Sequence, residues 1–205
     1  MKDLVSLLRF TWAGLRVLIV TTVICGLAYP LAVTAVAQVA MPWHANGSLV
    51  TATGAHTTDV TKAVGSALIG QPTTSNALFY SRPSAAGNGY DMTSTAGTNL
   101  GPNDSRLVAA IEKEQAVIAK REGVPVSQVP PDAATSSASG LDPNISPAYA
   151  AIQIPRVARA NGLSIAEVTA LVAKYTSGRT WGVLGEPRIN VLLLNIAVRN
   201  AAAHH

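Results

Sequence analysis

Two stretches of the chain carry residues whose types and spacing suggest chemistry. The first, GSALIGQP at residues 65–72, has the glycine spacing of a phosphate-binding loop. Such a loop needs a lysine to reach the phosphates and a Ser or Thr hydroxyl to bind magnesium. Gln71 and Pro72 stand at those two positions. The stretch therefore does not predict a nucleotide site, and a helix that ends at a glycine cap explains it better.

The second stretch, SGLDPNISPAYA at residues 139–150, places an aspartate before one proline and a serine before another. Asp142 predicts a turn, because its carboxylate can accept backbone N–H bonds two residues further on. Ser146 predicts a helix N-cap with proline at the first helical position. Turn formation and capping account for most of this stretch. A surface that another protein recognises remains the alternative, because several polar, turn-rich stretches occur here with few titratable groups.

Histidines, acids and cysteine form no convincing catalytic or metal-binding pattern. The histidines are His44, His56, His204 and His205, and none lies in a motif that would make it a general base. No Cys/His cluster has the spacing of metal ligands. Glu112 and Glu114 are two residues apart on a predicted helix and do not face one another. The sequence thus predicts no catalytic residue, no cofactor bound directly and no metal site.

An apolar segment near the start of the chain could anchor the remaining residues to a membrane. Residues 17–41 contain no Asp, Glu, Lys or Arg. A helix of that length covers about 37 Å, enough to cross a hydrocarbon core of roughly 30 Å. A secretory signal is the alternative, because small residues follow the run, but a signal's apolar region is usually only about 7–15 residues long. We expect a retained membrane-spanning helix in which Pro30 removes one hydrogen bond.

The charges flanking this segment predict its orientation. Lys2, Arg9 and Arg16 precede the span, and residues 42–61 contain no Lys or Arg. The excess of cations before the span places residues 1–16 in the cytoplasm and the bulk of the chain outside. The only cysteine, Cys25, lies in the span, so the outer part has no disulfide. From residue 42 onward the chain has 12 Lys and Arg residues and 10 Asp and Glu residues. This net charge is too close to zero for a nucleic-acid-binding surface.

The outer part predicts an α+β domain in which helices dominate and strands are few and short. Residues 42–60 read as an irregular lead-in to a domain over residues 61–205, and residues 81–104 read as a long loop. Residues 77–80 fit one short strand. Four helices have recognisable signals: 105–122 after an Asn103 or Asp104 cap, 147–161 after Ser146 with a kink at Pro155, about 165–176 after the capping box Ser164/Glu167, and the apolar segment after Asn190.

The order of these motifs resembles that of a known family. The blocks GSALIGQ, FYSRPSA, GTNLGPND, VPPDAATSSASGLDPNISPAYA, QIPRVARANGL and GEPRINVLLLNIAV follow the apolar segment. Together they resemble the C subunit of the bacterial Kdp-type potassium-transporting ATPase, from the span to about Val198. The resemblance implies a non-catalytic accessory subunit in the bacterial inner membrane. Its partners would be the lipid bilayer, a potassium-conducting subunit and an ATP-hydrolysing subunit, and the complex rather than this chain would handle ATP and potassium.

The family is also described as assisting nucleotide binding, which conflicts with a topology that leaves only about 16 residues in the cytoplasm. Docking from outside on the potassium-conducting subunit is therefore the favoured role. The alternative from another class is a membrane-tethered binding module or hydrolase unrelated to transport. The candidate family-motif or assembly residues are Gln71, Arg82, Pro83, Asn99, Asp132, Ser139, Gly140, Asp142, Pro143, Ser146, Glu186, Asn190 and Asn195.

Overall fold

A computed structural model describes residues 2–203 of the chain, so Met1, His204 and His205 lie outside the described residues. The chain divides into two compact units between Ser48 and Leu49. The first unit is helical. Within residues 49–203, the second unit has five α-helices, two short 3-10 helices, two small antiparallel sheets and long irregular segments, which confirms the predicted α+β class.

The first unit is built on one long apolar helix. Helix α1 (Lys2–Val23) continues through a π-helical turn (Ile24–Ala28) into α2 (Tyr29–Ala40), and the short α3 (Pro42–Ala45) follows. Residues Asp3–Ala40 are long and apolar enough to cross a membrane. The helix begins well before the predicted span of 17–41, because Lys2, Asp3, Arg9 and Arg16 do not interrupt helical backbone.

The π-helical turn explains how the helix passes Pro30. Proline has no N–H, and its ring collides with the carbonyl four residues earlier in a regular α-helix. A π-helical turn widens the helix at that point, and the N–H of Tyr29 donates to the carbonyl of Ile24, five residues back. The hydroxyl of Thr34 donates to the Pro30 carbonyl at 2.8 Å. The backbone polar groups around the proline therefore find partners within the same helix.

The second unit opens with an antiparallel sheet where an irregular lead-in was expected. Strands β1 (Leu49–Thr51), β2 (His56–Thr57) and β3 (Ala63–Ser66) pair in the order β2-β1-β3. The helix expected to end at Gly70 does not form, and a 3-10 turn at Val60–Lys62 leads into β3 instead. Gly65 lies in this strand, and a Cβ there would overlap the side chain of Gln71.

Four helices of the second unit begin close to the predicted residues: α4 (Ser105–Glu122), α6 (Pro147–Asn161), α7 (Ile165–Tyr175) and α8 (Val191–Ala202). The short α5 (Pro131–Ala134) was not predicted. Asp104, Ser146, Ser164 and Asn190 cap α4, α6, α7 and α8, and the capping box of Ser164 with Glu167 is complete. Gly123 and Gly162 end α4 and α6 with left-handed backbone, as glycine does readily. Helix α6 runs through Pro155 as one element.

A second sheet joins parts of the chain that are distant in sequence. Strands β4 (Asn144–Ile145), β5 (Thr176–Ser177) and β6 (Arg188–Asn190) pair antiparallel in the order β4-β6-β5. The core lies between this sheet and helices α4, α6, α7 and α8, with Ile118, Tyr149, Ile189 and Leu194 among its buried side chains. Phe79, from the irregular segment before α4, is fully buried in the same core.

Candidate functional site

The irregular segment 76–80 is held by side chains rather than by a sheet. The predicted strand at 77–80 does not form, because no other strand pairs with this segment. Instead, the Asn195 amide accepts the Phe79 N–H at 2.7 Å and donates to the Phe79 carbonyl at 2.9 Å. Gln153 does the same for Tyr80, at 2.7 and 3.2 Å. Two buried amide side chains thus replace the backbone partners that a neighbouring strand would supply.

Helix α6 holds the preceding residues of this segment. The Arg156 guanidinium donates to the Leu78 carbonyl at 2.9 Å, and Asn161 donates to the Ala77 carbonyl at 2.6 Å. Arg156 also pairs with Glu122 at 2.8 Å, and Arg121 pairs with the other oxygen of that carboxylate at 2.6 Å. The Glu122 side chain is fully buried. A buried carboxylate between two guanidinium groups therefore joins α4 to α6.

Tyr80 and Tyr149 complete this cluster. The guanidinium carbon of Arg121 lies 3.9 Å from the centre of the Tyr80 ring, and that of Arg156 lies 5.0 Å away. Arg121 also donates to the Tyr149 hydroxyl at 2.9 Å. Burial raises the pKa of the Tyr149 phenol, so the ring stays neutral at physiological pH. The polar groups of this cluster form hydrogen bonds, ion pairs and ring contacts with one another, so the cluster has a structural role.

Arg82 and Asp142 join two of the sequence blocks that carry the family resemblance, FYSRPSA and VPPDAATSSASGLDPNISPAYA. Their side chains form an ion pair at 3.0 Å and are 22% and 26% exposed. The Arg82 Nε also donates to the carbonyls of Asp132 and Thr135 at 3.1 and 3.2 Å. The other Asp142 oxygen accepts the Asn144 N–H at 2.9 Å, so the turn expected from the Asp-Pro pair is present. The ion pair itself was not foreseen, although both residues were candidates.

Asp132 fixes the start of α6 from a different part of the chain. Its carboxylate accepts the Ser146 hydroxyl at 3.0 Å and the Ser146 N–H at 3.2 Å. The same Ser146 oxygen accepts the Tyr149 N–H at 3.0 Å as the helix cap. Asp132 therefore orients the capping hydroxyl, and both Asp132 oxygens are engaged in doing so.

The turn at Ser139-Gly140 packs tightly against the loop that follows Arg82. Ser84 donates to the Gly140 carbonyl at 2.7 Å, and the Tyr90 hydroxyl donates to the Arg82 carbonyl. Gly140 has φ of +70°, and a Cβ there would lie 2.7 Å from the backbone nitrogen of Ala86. Only glycine fits this contact without a shift. Ser139 accepts the Leu141 N–H at 3.1 Å within the same turn.

Five of the candidate residues border one open cleft of about 740 Å³. They are Arg82, Asp132, Asp142, Ser146 and Glu186. The carboxylates of Asp132 and Asp142 are engaged as described above, and Glu186 pairs with Arg179 at 2.7 Å. Within residues 2–203, no group of three or more His, Cys, Asp or Glu side chains is placed to hold a metal ion. The three carboxylates that border the cleft are therefore all engaged by other residues of the chain.

The remaining candidates are dispersed. Gln71, Pro143 and Asn195 border a smaller cavity of about 190 Å³, and Pro83 borders another of about 170 Å³. Asn190 caps α8 and also donates to the Ala67 carbonyl at 2.7 Å. Asn99 lies on an exposed loop with left-handed backbone, φ +53°. The structure therefore gathers part of the candidate set around the cleft and leaves the rest at separate structural positions.

The glycine-spaced stretch 65–72 does not have the geometry of a phosphate loop. Its first glycine lies in strand β3, and no helix follows its last residues. The Gly70 N–H, which a phosphate would need, donates to the Leu141 carbonyl at 2.8 Å. A Cβ on Gly70 would approach the Asp142 carbonyl oxygen to 2.5 Å. This glycine is required by its contact with the 139–142 turn.

Several residues with structural roles were missed in the sequence. Gln153 is the clearest, because it interrupts an otherwise apolar face of α6 between Tyr149 and Val157. A buried amide on such a face signals a backbone partner elsewhere. Glu122 and Arg156 gave no such signal, since charged residues at these positions are typical of solvated helix faces. Of the histidines, His44 contacts Trp43 edge to face and His56 lies in β2, while the terminal pair is outside the described residues.

Fold and site together define a class: a membrane-anchored protein with a small α+β domain whose polar residues mainly bind one another. Comparison with known proteins identifies the family. The model of the family described as KdpC, K+-transporting ATPase, c chain, matches residues 11–200. The chain belongs to this family.

Relatives in several bacteria support the same assignment. The chain is 49% identical to the potassium-transporting ATPase KdpC subunit of Koribacter versatilis, over 87% of this chain and 88% of that protein. It is 48% identical to the protein of the same name in Kineococcus radiotolerans, over 97% of both chains. The family match over residues 11–200 covers most of the apolar helix as well as the α+β domain.

Proposed function

We propose that this chain is a non-catalytic accessory subunit of an ATP-driven, high-affinity potassium uptake pump, and that it stabilises the assembly of the pump's larger subunits. Its membership of the KdpC family over residues 11–200 carries the proposal. The relatives at 46–49% identity are named as subunits of a potassium-transporting ATPase. A tethered hydrolase or binding module unrelated to transport has no comparable support.

The partners are the potassium-conducting subunit and the ATP-hydrolysing subunit of the same pump. A single spanning helix cannot enclose a pore, so the ion must cross through another chain. The second unit, from Leu49 onward, docks on the extracytoplasmic side of the potassium-conducting subunit. The cation-rich flank with Arg9 and Arg16 stays in the cytoplasm of the bacterial cell.

The chain binds no nucleotide directly. Support comes from the stretch 65–72, where Gln71 and Pro72 replace the lysine and the hydroxyl of a phosphate loop and the Gly70 N–H donates to the Leu141 carbonyl. Any influence on ATP affinity then passes through the assembled complex rather than through a site on this chain.

A pull-down from native membranes tests the proposal. The tagged full-length chain should retain both larger pump subunits in detergent at a fixed stoichiometry. A control with the same tag on an unrelated single-span protein should retain neither. Recovery of the chain alone, from membranes that contain the larger subunits, would contradict the assembly role.

A further inference from the structure

The first sixteen residues of the chain place their cations on one face of a helix. Lys2, Arg9 and Arg16 follow one another at intervals of seven residues, and all three positions lie within helix α1. Seven residues fall about 20° short of two full helical turns, so the three positions lie within about 40° of one another around the helix axis. We call these three positions the basic stripe of α1.

The two arginines of the basic stripe have no carboxylate partner within residues 2–203. Asp3 is the only acidic residue among residues 1–48. It precedes Arg9 by six residues, a spacing that places the two side chains on different sides of the helix. In the second unit, by contrast, Arg82 and Arg121 each pair with a carboxylate. The positive charge of Arg9 and Arg16 is therefore available to a ligand outside the chain.

Trp12 lies on the same side of α1 as the basic stripe, one turn before Arg16. The guanidinium carbon of Arg16 lies 5.3 Å from the centre of the Trp12 ring, and the tryptophan is 55% exposed. Tryptophan is enriched where the hydrocarbon of a bilayer meets the headgroups, because its ring is apolar and its N–H is polar. The pair of side chains therefore marks the depth at which α1 leaves the hydrocarbon.

The long helix extends past the hydrocarbon on the side of the basic stripe. Asp3–Ala40 comprises 38 residues, or about 57 Å, whereas a hydrocarbon core is roughly 30 Å thick and a whole bilayer about 40–45 Å. With residues 17–41 in the hydrocarbon, Arg16 lies at its edge and Arg9 about 10 Å further out along the helix axis. Both arginines then lie at the depth of the headgroup layer, which contains the lipid phosphates.

Membrane orientation alone does not explain the spacing of the stripe. An excess of cations before a span sets the orientation whichever face of the helix carries them. Cations on one face concentrate positive potential on one side of the helix, and a guanidinium group binds phosphate oxygens through paired N–H donors. A zwitterionic lipid has a cation of its own beside the phosphate, which the stripe repels. An anionic lipid carries a net negative charge that the stripe attracts.

We propose that the basic stripe of α1 is a binding site for anionic phospholipids. Arg9 and Arg16 hold the headgroup phosphates, and Trp12 lies at the edge of the hydrocarbon beside them. The site belongs to this chain by itself, so the proposal does not depend on the role of the chain in a pump.

The test places the full-length chain alone in vesicles. The chain has three tryptophans, and Trp43→Phe with Trp181→Phe leaves Trp12 as the only one in every sample. Phosphatidylcholine vesicles contain a fixed minor fraction of brominated phosphatidylglycerol or of brominated phosphatidylcholine, and bromine quenches the Trp12 emission on contact. The apparent affinity should be at least about threefold higher for the anionic lipid, and this preference should weaken at high salt. Equal quenching by the two brominated lipids would overturn the proposal.

A charge swap is the matched control. Arg9→Thr with Thr11→Arg keeps the composition and the net charge but moves the cation by about 200° around the helix. The swapped chain, with circular dichroism showing that its helix is intact, should lose most of the preference for phosphatidylglycerol. Retention of the full preference would show that net charge rather than the stripe attracts the lipid, and the proposal would be wrong. Both leaflets have the same composition, so the result does not depend on the orientation of the chain.

Photo-crosslinking in native membranes identifies what contacts the stripe in the cell. The reactive group is placed at position 13, which is exposed and lies between Arg9 and Arg16 on the same side of α1. A crosslink to phospholipid supports the proposal. A crosslink to another protein chain overturns it and leaves the proposed function standing, so the two proposals fail separately.

Discussion

Asn195 on α8 binds both backbone polar groups of Phe79, a residue 116 positions earlier in the chain. The amide acts as one rung of a β-ladder in a place where no strand is available. Because Phe79 is fully buried in the core, neither its N–H nor its carbonyl can turn to water instead. This contact fixes the irregular segment to the last helix, and with it the chain that leads to Arg82.

Asn195→Leu should destabilise the full-length chain by roughly 2–4 kcal/mol, because it leaves two buried backbone groups without partners. Urea or guanidinium titration in detergent measures the change. Gln128→Ala, at an exposed amide, should change the free energy of unfolding by less than about 0.5 kcal/mol. Equal midpoints for the two variants would show that the Phe79 contact does not stabilise the fold.

Glu122→Ala should be more damaging, at roughly 3–5 kcal/mol, because it leaves the two guanidinium groups of Arg121 and Arg156 without their buried anion. Glu112→Ala, on an exposed face of the same helix, is the matched control. The loss should be visible as a lower Tm of the full chain. A Tm within experimental error of the control would mean that the buried carboxylate is dispensable.

A double-mutant cycle measures the Arg82–Asp142 ion pair. Arg82→Ala, Asp142→Ala and the double variant should give a coupling energy of about 1 kcal/mol, since the pair is mostly screened from solvent. Asp142→Asn keeps a side-chain acceptor for the Asn144 N–H but removes the charge, so it should lose most of this coupling. Additive single effects would show that the two side chains do not interact in solution.

The raised pKa of Tyr149 predicts a loss of stability at alkaline pH. The unfolded chain releases the phenolic proton near the ordinary pKa of about 10, before the folded chain does. The stabilisation is therefore complete below that pH and is lost as pH rises towards the folded-state pKa. Tyr149→Phe should flatten the decline in unfolding free energy above pH 10 relative to the parent chain. An unchanged slope in Tyr149→Phe would contradict this cause.

Helices α4, α6, α7 and α8 could be predicted from the sequence because their signals are local, whereas the short α5 was missed and the helix expected to end at Gly70 does not form. Ser146 with Pro147, Ser164 with Glu167, and Asn190 each define a helix start within four residues. The strands could not, because each has only two to four residues and so carries no readable alternation. The pairing of Asn144 with Asn190 joins positions far apart in the chain. The sequence identified Arg82 and Asp142 as candidate residues. Their ion pair could not be predicted, because it joins positions that only the folded chain brings together.

Thiol labelling of intact cells tests the proposed topology. In a Cys25→Ser background, cysteine at exposed position 52 should react with an impermeant reagent, and cysteine at exposed position 4 should react only after the cells are lysed. Labelling of position 4 in intact cells, with position 52 protected, would reverse the orientation.

The most direct test of the central claim compares assembly with nucleotide affinity in the Asp142→Ala pump. Loss of the Asp142 contacts should loosen the domain and reduce the yield of complex that co-purifies with the larger subunits. The complex that does form should keep the ATP KM of the parent if the domain lies outside the cell, as proposed. An intact yield with a tenfold higher KM, equivalent to about 1.4 kcal/mol, would contradict the account and favour direct assistance of nucleotide binding.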